Sequence, residues 1–248
     1  MSEDIVEGSL STKAVIEARR RTVLKVLINK KKKSRDISYI EKIARKNKVE
    51  VKRVDEEKIN EIAKGKTHGG VIAFVGEREY QSVEDILNKK NPFIAVLEGI
   101  EDPFNFGYCL RSLYAAGCDG VVVASRNWTT VVDVVTKSSA GASEFIDIVK
   151  SDDLSETIKR LKQSGLKVYG ANRKDAKSLY ETSFDKSLVL AIGGEKRGLS
   201  KKVSLTCDEN IFIPYANNFK NAINGSSATA ILSFEIFRQR RIKWKRKE

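Results

Sequence analysis

The stretch EDPFNFGYCLRSLYAAGCDGVVVA, residues 101–124, predicts a helix that leads directly into a buried strand. The helix carries one continuous apolar stripe, made of Phe106, Cys109, Leu110, Leu113 and Tyr114. Arg111 stands at the edge of this stripe, with the small residues Gly107 and Ala115 one turn to either side. No carboxylate lies within one turn to pair with it. The pattern leaves room for a phosphate or a ribose beside the guanidinium.

The same alternation of helix and apolar strand continues beyond Phe93. Apolar runs recur as FIAVLEG, DGVVVA, EFIDIV, LKVYGA, SLVLAIGG and NIFIP, and helical patterns such as NFGYCLRSLYAAG, VVDVVTKSS and DLSETIKRLKQSG separate them. Continuous apolar strands that alternate with helices are typical of a parallel sheet covered on both faces. The sequence therefore predicts an α/β domain over residues 89–248.

Residues 1–88 predict a small, basic α/β domain. Short strand-like runs (VLKVLI, VEVKRV, GGVIAFV) alternate with helical patterns such as ISYIEKIARKN. The chain has a net charge of +13 and a pI near 9.5. Residues 30–33, all lysine, would be a solvated loop if they stood alone. Because residues 19–21 are all arginine, phosphate binding is the better interpretation for the domain as a whole.

Composition excludes several classes of function. A hydrophobic content of 41% supports a folded core, no run approaches the roughly 18 apolar residues of a membrane span, and the first residues do not resemble a signal peptide. Cys109, Cys118 and Cys207 are too few and too scattered for a disulfide framework or a zinc site, and His68 is the single histidine. We therefore expect a cytoplasmic protein with no metal centre, no Ser-His-Asp triad and a polyanionic partner.

Three loops follow predicted strands, and ligands of open parallel sheets bind beyond the carboxyl ends of the strands. The first, IEDPFNFG, offers Asp102 as a helix cap before Pro103 and carries Asn105. The second, GGEKRGLS, surrounds Glu195 with glycines; by itself it favours a tight turn, and it is neither a Walker loop nor a Rossmann fingerprint. The third, YANNFKNAINGSS, holds four asparagines whose amides suit an adenine and an amino acid.

In this order and spacing, the three loops resemble the motifs of the SpoU (TrmH-type) RNA ribose 2′-O-methyltransferases of the SPOUT superfamily. The matching stretches are EDPFNFGYCLRSLYAAGCDGV, LAIGGEKRGLS and IPYANNFKNAINGSSATAILSFE, with TKSSAGASEF between the first two. This resemblance covers residues 93–240. Residues 1–88 are similar, more loosely, to the ribosomal-protein-like RNA-binding domain that often precedes this catalytic domain, through VEGSLSTKAVIEA and THGGVIAFV.

The resemblance implies a fold, a cofactor and an assembly. It implies a parallel sheet whose C-terminal segment threads a trefoil knot, S-adenosylmethionine as methyl donor, and a homodimer in which both chains build the active site. The residues that it assigns to the cofactor are Gly193, Gly194, Ile213, Ala222 and Ile223. The residues that it assigns to catalysis and RNA are Arg111, Asn105, Glu195 and Asn224. The RNA partner would be ribosomal RNA in preference to transfer RNA.

One departure from the family pattern bears on activity. The third motif usually reads Ser-Leu-Asn before its helix, whereas this chain has Ala222, Ile223 and Asn224. Candidate substitutes for the missing serine hydroxyl are Asn221, Ser226 and Ser227. Two alternatives therefore stay open: a non-catalytic RNA-binding protein that keeps the SPOUT fold, and a nucleotide-binding Rossmann protein that acts on small molecules. The second does not explain the basic N-terminal domain.

The chemistry of methyl transfer suggests roles for two of these residues. An arginine guanidinium does not lose its proton in proteins, so Arg111 is a poor general base unless a substrate phosphate assists. We expect Arg111 to hold an RNA phosphate and to stabilise the developing alkoxide. Glu195 would orient Arg111 or a neighbouring amide.

Overall fold

A computed structural model describes residues 4–125 and 131–240 of the chain. Its first elements are β1 (Asp4–Glu7), α1 (Ser9–Ala18), β2 (Arg21–Asn29), α2 (Arg35–Lys46), β3 (Glu50–Val54), α3 (Glu56–Ile62), β4 (Val71–Arg78) and α4 (Val83–Leu87). There follow β5 (Phe93–Glu98), α5 (Pro103–Ala115), β6 (Gly120–Ala124), α6 (Val132–Ser138), α7 (Ala142–Phe145), β7 (Ile148–Ser151), α8 (Leu154–Gln163), β8 (Lys167–Ala171), β9 (Ala176–Ser178), a 3-10 turn (Leu179–Glu181), β10 (Leu188–Gly193), α9 (Lys201–Ser204), β11 (Glu209–Phe212) and α10 (Gly225–Arg240).

The elements form two compact units. We call residues 4–79 and 131–145 the N-terminal unit, and residues 80–125 and 146–240 the C-terminal unit. The N-terminal unit contains a four-stranded mixed sheet in the order β1-β4-β2-β3, in which β4 is antiparallel to both of its neighbours. The predicted strand VLKVLI is confirmed within β2, the runs VEVKRV and GGVIAFV overlap β3 and β4, and the helical pattern ISYIEKIARKN overlaps α2.

The segment TKSSAGASEF belongs to the N-terminal unit, although it lies far along the chain. Glu144 on α7 is buried and accepts hydrogen bonds from Nε and Nη2 of Arg21, at 2.9 and 3.2 Å. Removing one partner of such a buried pair typically costs about 3–5 kcal/mol, because the other charge stays uncompensated. This pairing takes Arg21 out of the predicted basic face. The expected division of the chain near residue 88 stays a prediction. The segment TKSSAGASEF lies after that division in sequence but belongs to the N-terminal unit.

The C-terminal unit is built on a seven-stranded, all-parallel sheet in the order β7-β6-β5-β10-β8-β11-β9. Consecutive residues of β5 and β10 are buried, which requires cover on both faces of the sheet. Ile158 and Leu161 of α8 belong to a hydrophobic core that includes residues of the sheet. Helices α5 and α10 pack against each other. The predicted parallel α/β fold is confirmed. The trefoil knot stays a prediction.

Two details differ from the sequence-based expectation. The run EFIDIV was expected to be one strand, but Glu144 and Phe145 end α7 and β7 begins only at Ile148. The short strand β9 was not foreseen, because its three residues AKS carry no apolar pattern; it pairs with β11 at the edge of the sheet. Edge strands need little burial, so apolar periodicity does not reveal them.

Residues 4–125 and 131–240 contain no candidate membrane-spanning helix and no candidate metal-binding cluster. No helix there combines the length and the apolar character needed to cross a membrane. No three side chains of His, Cys, Asp or Glu in those ranges lie close enough together to hold a metal ion. The cytoplasmic location expected from the sequence stays a prediction.

Candidate active site

The three loops singled out in the sequence meet at one edge of the parallel sheet. β5, β10, β8 and β11 are neighbours in that order and run in the same direction, so their carboxyl ends share an edge. The register sets Gly193 at the end of β10 beside Glu98 at the end of β5. The strand order and direction therefore confirm the expected convergence of the loops. Parallel sheets bind ligands at this edge.

The first loop leads into α5 through the predicted cap. Asp102 accepts a hydrogen bond from the backbone N–H of Asn105 at 2.8 Å, and Pro103 opens the helix. The expected apolar stripe of α5 is confirmed for its buried members, Phe106, Cys109, Leu110 and Leu113. Tyr114 is a correction: its side chain is 45% exposed, because the buried arc of the helix ends at Leu113. A helical wheel cannot show where such an arc ends.

The glycines of the second loop are required by close backbone approach. A Cβ on Gly193 would lie 2.0 Å from the carbonyl carbon of Gly198, and one on Gly194 would lie 2.0 Å from the carbonyl oxygen of Gly99. Gly198 donates its N–H to the Gly194 carbonyl at 2.8 Å and has a positive φ of 62°. The tight turn is therefore real, and it seats the second loop directly against the first. Cofactor contacts by Gly193 and Gly194 stay a prediction.

Glu195 joins all three loops through a single oxygen. Its Oε1 accepts one hydrogen bond from Nδ2 of Asn105 at 3.3 Å and another from the backbone N–H of Gly225 at 3.2 Å. Gly225 is the first residue of α10, so the carboxylate also lies at the positive end of that helix. The sequence left open whether Glu195 orients Arg111 or a neighbouring amide. In this chain the partner is the amide of Asn105.

Arg111 stands apart from that cluster. Its guanidinium is exposed and makes no hydrogen bond or ion pair with any residue that the structure describes. Arg111 lies six positions after Asn105 on α5, which places the two side chains about 120° apart around the helix. Arg111 instead shares a face with Phe104 and Tyr108, which are 52% and 43% exposed. One chain therefore does not bring Arg111 and Asn105 together.

The third loop ends in a helix cap. Oδ1 of Asn224 accepts hydrogen bonds from the backbone N–H of Ser227 at 2.7 Å and from the hydroxyl of Ser226 at 3.1 Å. Of the residues expected to hold the cofactor, Ile213 and Ile223 are half-buried and Ala222 is exposed. Because Asn224 already caps α10, its side-chain oxygen is occupied, and its predicted catalytic role would have to use the amide nitrogen.

Sequence reasoning missed two residues that hold the third loop. Arg173, just beyond β8, donates to the carbonyl oxygens of Lys220 and Asn221, at 3.0 and 3.4 Å. The hydroxyl of Tyr215 accepts a hydrogen bond from the backbone N–H of Ile223 at 3.1 Å. The signal for Arg173 was its position at the carboxyl end of a fourth parallel strand, the edge where the other three loops were sought.

Two cavities open at this edge. One of about 440 Å³ lies between the loops after β5 and β10, and Asn105 and Glu195 are among its lining residues. The other, of about 310 Å³, lies at the third loop and is lined by Arg173, Phe212, Ile213, Tyr215 and Phe219. Small-molecule sites typically measure about 300–1,000 Å³. Both volumes suit a ligand of nucleoside size.

The cysteines are not arranged as nucleophiles. Burial raises the pKa of the Cys109 thiol to about 11, and its weak contact with the Thr229 hydroxyl only partly offsets this. Burial likewise raises the pKa of Cys118 to about 12 and that of Cys207 to about 11. All three thiols stay protonated near neutral pH, and the thiolate is the nucleophilic form. Chemistry through a cysteine nucleophile is thereby disfavoured.

Matches to known proteins agree with the resemblance that the three loop motifs carry. Residues 92–234 match the SpoU rRNA Methylase family, and residues 5–81 match the domain described as RNA 2′-O ribose methyltransferase substrate binding. A chain of Staphylococcus aureus (strain COL) described as a TrmH family tRNA/rRNA methyltransferase is 34% identical over 221 residues, or 87% of this chain and 88% of that one. The chain belongs to the SpoU methyltransferase family.

Further relatives agree along nearly the whole length. A Staphylococcus epidermidis protein with the same description is 31% identical over 245 residues, covering 97% of each chain. Among solved structures, the SpoU methyltransferase AviRb of Streptomyces viridochromogenes, in complex with the cofactor AdoMet, superposes with a TM-score of 0.80 at 21% identity. That superposition covers 96% of this chain and 90% of AviRb. At such identity the likeness shows the fold, and it extends across both units.

Proposed function

We propose that this protein transfers a methyl group from S-adenosylmethionine to the 2′-hydroxyl of a ribose in structured RNA, with ribosomal RNA favoured over transfer RNA. The observation that carries the proposal is the meeting of Asn105, Glu195 and Gly225 at the ligand-binding edge of the parallel sheet. Membership of the SpoU family supports methyl transfer to RNA. The ribose specificity rests on the family match of residues 5–81, and the donor on the AviRb complex.

The N-terminal unit supports RNA as the partner. Residues 30–33 follow β2 and are exposed lysines, and Lys64 and Lys66 precede β4 and are exposed as well. Because β2 and β4 are antiparallel neighbours, with Ile28 opposite Val71, both loops lie at one edge of that sheet. We call these lysines the basic edge. Clustered exposed cations of this kind bind phosphates and release counterions from them.

The residues of the C-terminal unit would divide the work of methyl transfer. The cofactor would be held by residues of the second and third loops, namely Gly193, Gly194, Ile213, Ala222 and Ile223. These loops line cavities of suitable size. Bound S-adenosylmethionine would supply an electrophilic methyl carbon on a positively charged sulfonium. The protein must align the two reacting atoms and help the hydroxyl lose its proton.

Glu195 and Arg111 would act on the RNA side of this reaction. Oε2 of Glu195 accepts no hydrogen bond from the residues that the structure describes, so it is free to receive one from the ribose hydroxyl. Arg111 would hold a phosphate next to that ribose with its planar fork and stabilise the oxygen as negative charge develops.

A second copy of the chain would complete this arrangement. Besides Phe104 and Tyr108 on α5, the helix α10 exposes Phe234 and Phe237, while Leu232 and Ile236 on its other side are buried. Exposed aromatic faces on two packed helices are expected to be covered by a partner. Because Arg111 shares its face of α5 with Phe104 and Tyr108 and lies away from Asn105, we propose a homodimer in which Arg111 enters the partner's site.

One experiment separates the proposed reaction from its alternatives. The full-length protein is incubated with methyl-tritiated S-adenosylmethionine and with ribosomal or transfer RNA, and the RNA is then digested in alkali. A 2′-O-methyl group blocks cleavage of the adjoining phosphodiester, so label in alkali-stable dinucleotides supports the proposal. Label in mononucleotides would show methylation of a base, and RNA binding without label would favour the non-catalytic alternative.

A further inference from the structure

The third loop has no regular secondary structure, yet it is held in place by side chains. Residues 213–224 contain neither helix nor strand. Arg173 reaches them from the loop after β8 and donates from Nη1 to the Lys220 carbonyl and from Nη2 to the Asn221 carbonyl, at 3.0 and 3.4 Å. A planar guanidinium can address two successive carbonyl oxygens in this way because its donors form a rigid fork.

Tyr215 connects Arg173 to the other side of the same segment. The guanidinium carbon of Arg173 lies 4.4 Å from the centre of the Tyr215 ring, within the range of a cation–π contact. The hydroxyl of Tyr215 accepts from the Ile223 N–H at 3.1 Å, and its ring centre lies 6.0 Å from that of Phe219. Arg173 and Tyr215 therefore fix the peptide groups on both sides of Ala222.

We propose that Arg173 is a positioning residue for S-adenosylmethionine. With Tyr215 it holds residues 220–223 in the conformation that receives the cofactor, so that this segment need not be ordered when the cofactor binds. An irregular loop that must be ordered on binding lowers affinity, and preorganisation removes that loss. The inference rests on the proposed function, since it takes Ile213, Ala222 and Ile223 as cofactor contacts.

The chain offers a matched control for this role. Lys174 follows Arg173 directly, is exposed, and its ammonium group makes no hydrogen bond or ion pair with the described residues. Lys174→Ala therefore removes the same charge from the same loop without touching residues 220–223. Arg173→Lys keeps the charge but not the fork, and Tyr215→Phe keeps the ring under Arg173 but loses the acceptor of the Ile223 N–H.

The test measures cofactor binding directly on the full-length variants. Calorimetric titration with S-adenosylmethionine should give a Kd about tenfold higher for Arg173→Ala, since two hydrogen bonds from a charged group are removed. Arg173→Lys should recover only part of that affinity, and Lys174→Ala should match wild type. Hydrogen exchange of residues 216–223, measured without cofactor, should accelerate in Arg173→Ala and Tyr215→Phe but not in Lys174→Ala.

Steady-state kinetics distinguish this role from RNA contact or a general structural effect. The KM for S-adenosylmethionine should rise in Arg173→Ala while the KM for RNA and the unfolding temperature stay close to wild type. A normal cofactor Kd, or a rise confined to the KM for RNA, would overturn the proposal. Failure of the proposed function shows separately, as a wild-type protein that binds S-adenosylmethionine but leaves no label in alkali-stable dinucleotides.

Discussion

The side-chain amide of Asn105 donates to Oε1 of Glu195 across 3.3 Å, although 90 positions separate the two residues in sequence. The same oxygen accepts the N–H of Gly225, 30 positions further along. One carboxylate oxygen thus connects the loops that follow β5, β10 and β11. The Glu195 side chain also lines the cavity between the first two loops. In the proposed reaction, the substrate hydroxyl would approach the other oxygen, Oε2, in that cavity.

Replacing Asn105 by Asp should impair methyl transfer more than replacing it by Ala. The alanine variant only loses a hydrogen bond, whereas the aspartate variant sets two carboxylates against each other and pushes Glu195 out of place. We expect roughly tenfold slower single-turnover transfer for Asn105→Ala and a clearly larger loss for Asn105→Asp. Cofactor affinity, measured by titration, serves as the control and should change little. Wild-type rates in Asn105→Asp would contradict this role of the pair.

Replacing Arg111 by Ala should abolish most methyl transfer and leave S-adenosylmethionine affinity nearly unchanged. Arg111 lies on the same face of α5 as the exposed Phe104 and Tyr108, and it makes no hydrogen bond to the described residues of the loops after β10 and β11. Losing a preorganised charge at a reacting centre typically costs about 10² to 10³ in rate. Arg111→Lys should rescue poorly, because one ammonium cannot reproduce a bidentate hold on phosphate. Single-turnover transfer beside cofactor titration gives the answer.

Mixed dimers should reveal which site Arg111 serves. Arg111→Ala and Asn105→Ala chains carrying different tags are coexpressed, and the heterodimer is purified. If Arg111 acts in the partner's site, one of the two sites combines an intact Asn105 with an intact Arg111, and about half of the wild-type activity returns. If Arg111 acts within its own chain, both sites remain defective. A heterodimer with only about a twentieth of the wild-type activity, the share left by one Asn105→Ala site, would therefore refute the shared site.

Removing charge from the basic edge should weaken RNA binding and reduce its salt dependence. The variant replaces Lys31, Lys32 and Lys33 by alanine and spares Lys30, which pairs with Asp55 at 2.9 Å. Each RNA phosphate that the variant no longer neutralises should lower the slope of log affinity against log salt by about 0.7–0.9. The control replaces the exposed Lys42, Lys46 and Lys48, toward the other end of α2, and removes the same charge. Equal weakening in both variants would mean that only net charge matters.

The thiols should be unreactive in the folded protein near neutral pH. Burial raises the pKa of Cys109 and of Cys207 to about 11 and that of Cys118 to about 12, so the thiolate fraction is very small below about pH 9. Iodoacetamide at pH 8 should leave the protein unlabelled and methyl transfer intact, and labelling should rise as pH approaches 11. Protein unfolded in guanidinium is the control and should label fully. Rapid labelling at pH 8 with loss of activity would indicate a cysteine-dependent reaction.

The sequence by itself determined the parallel α/β architecture, because continuous apolar runs such as FIAVLEG and SLVLAIGG can be buried only between two covering layers. It also determined that three loops converge, because parallel strands bring their carboxyl ends to one edge. Asp102 as a cap followed from local chemistry alone, since the capping carboxylate and the N–H that donates to it lie within one turn.

Only the tertiary structure decided which distant groups meet. It paired Asn105 with Glu195 rather than Glu195 with Arg111, set Arg173 against the carbonyls of residues 220 and 221, and buried Arg21 on Glu144 instead of leaving it on a basic face. Periodicity reports whether a position faces the core, and it carries no information on which partner a long polar side chain finds across the fold. Those partners depend on the register of strands and the depth at which helices pack, and both are settled only when the whole chain is folded.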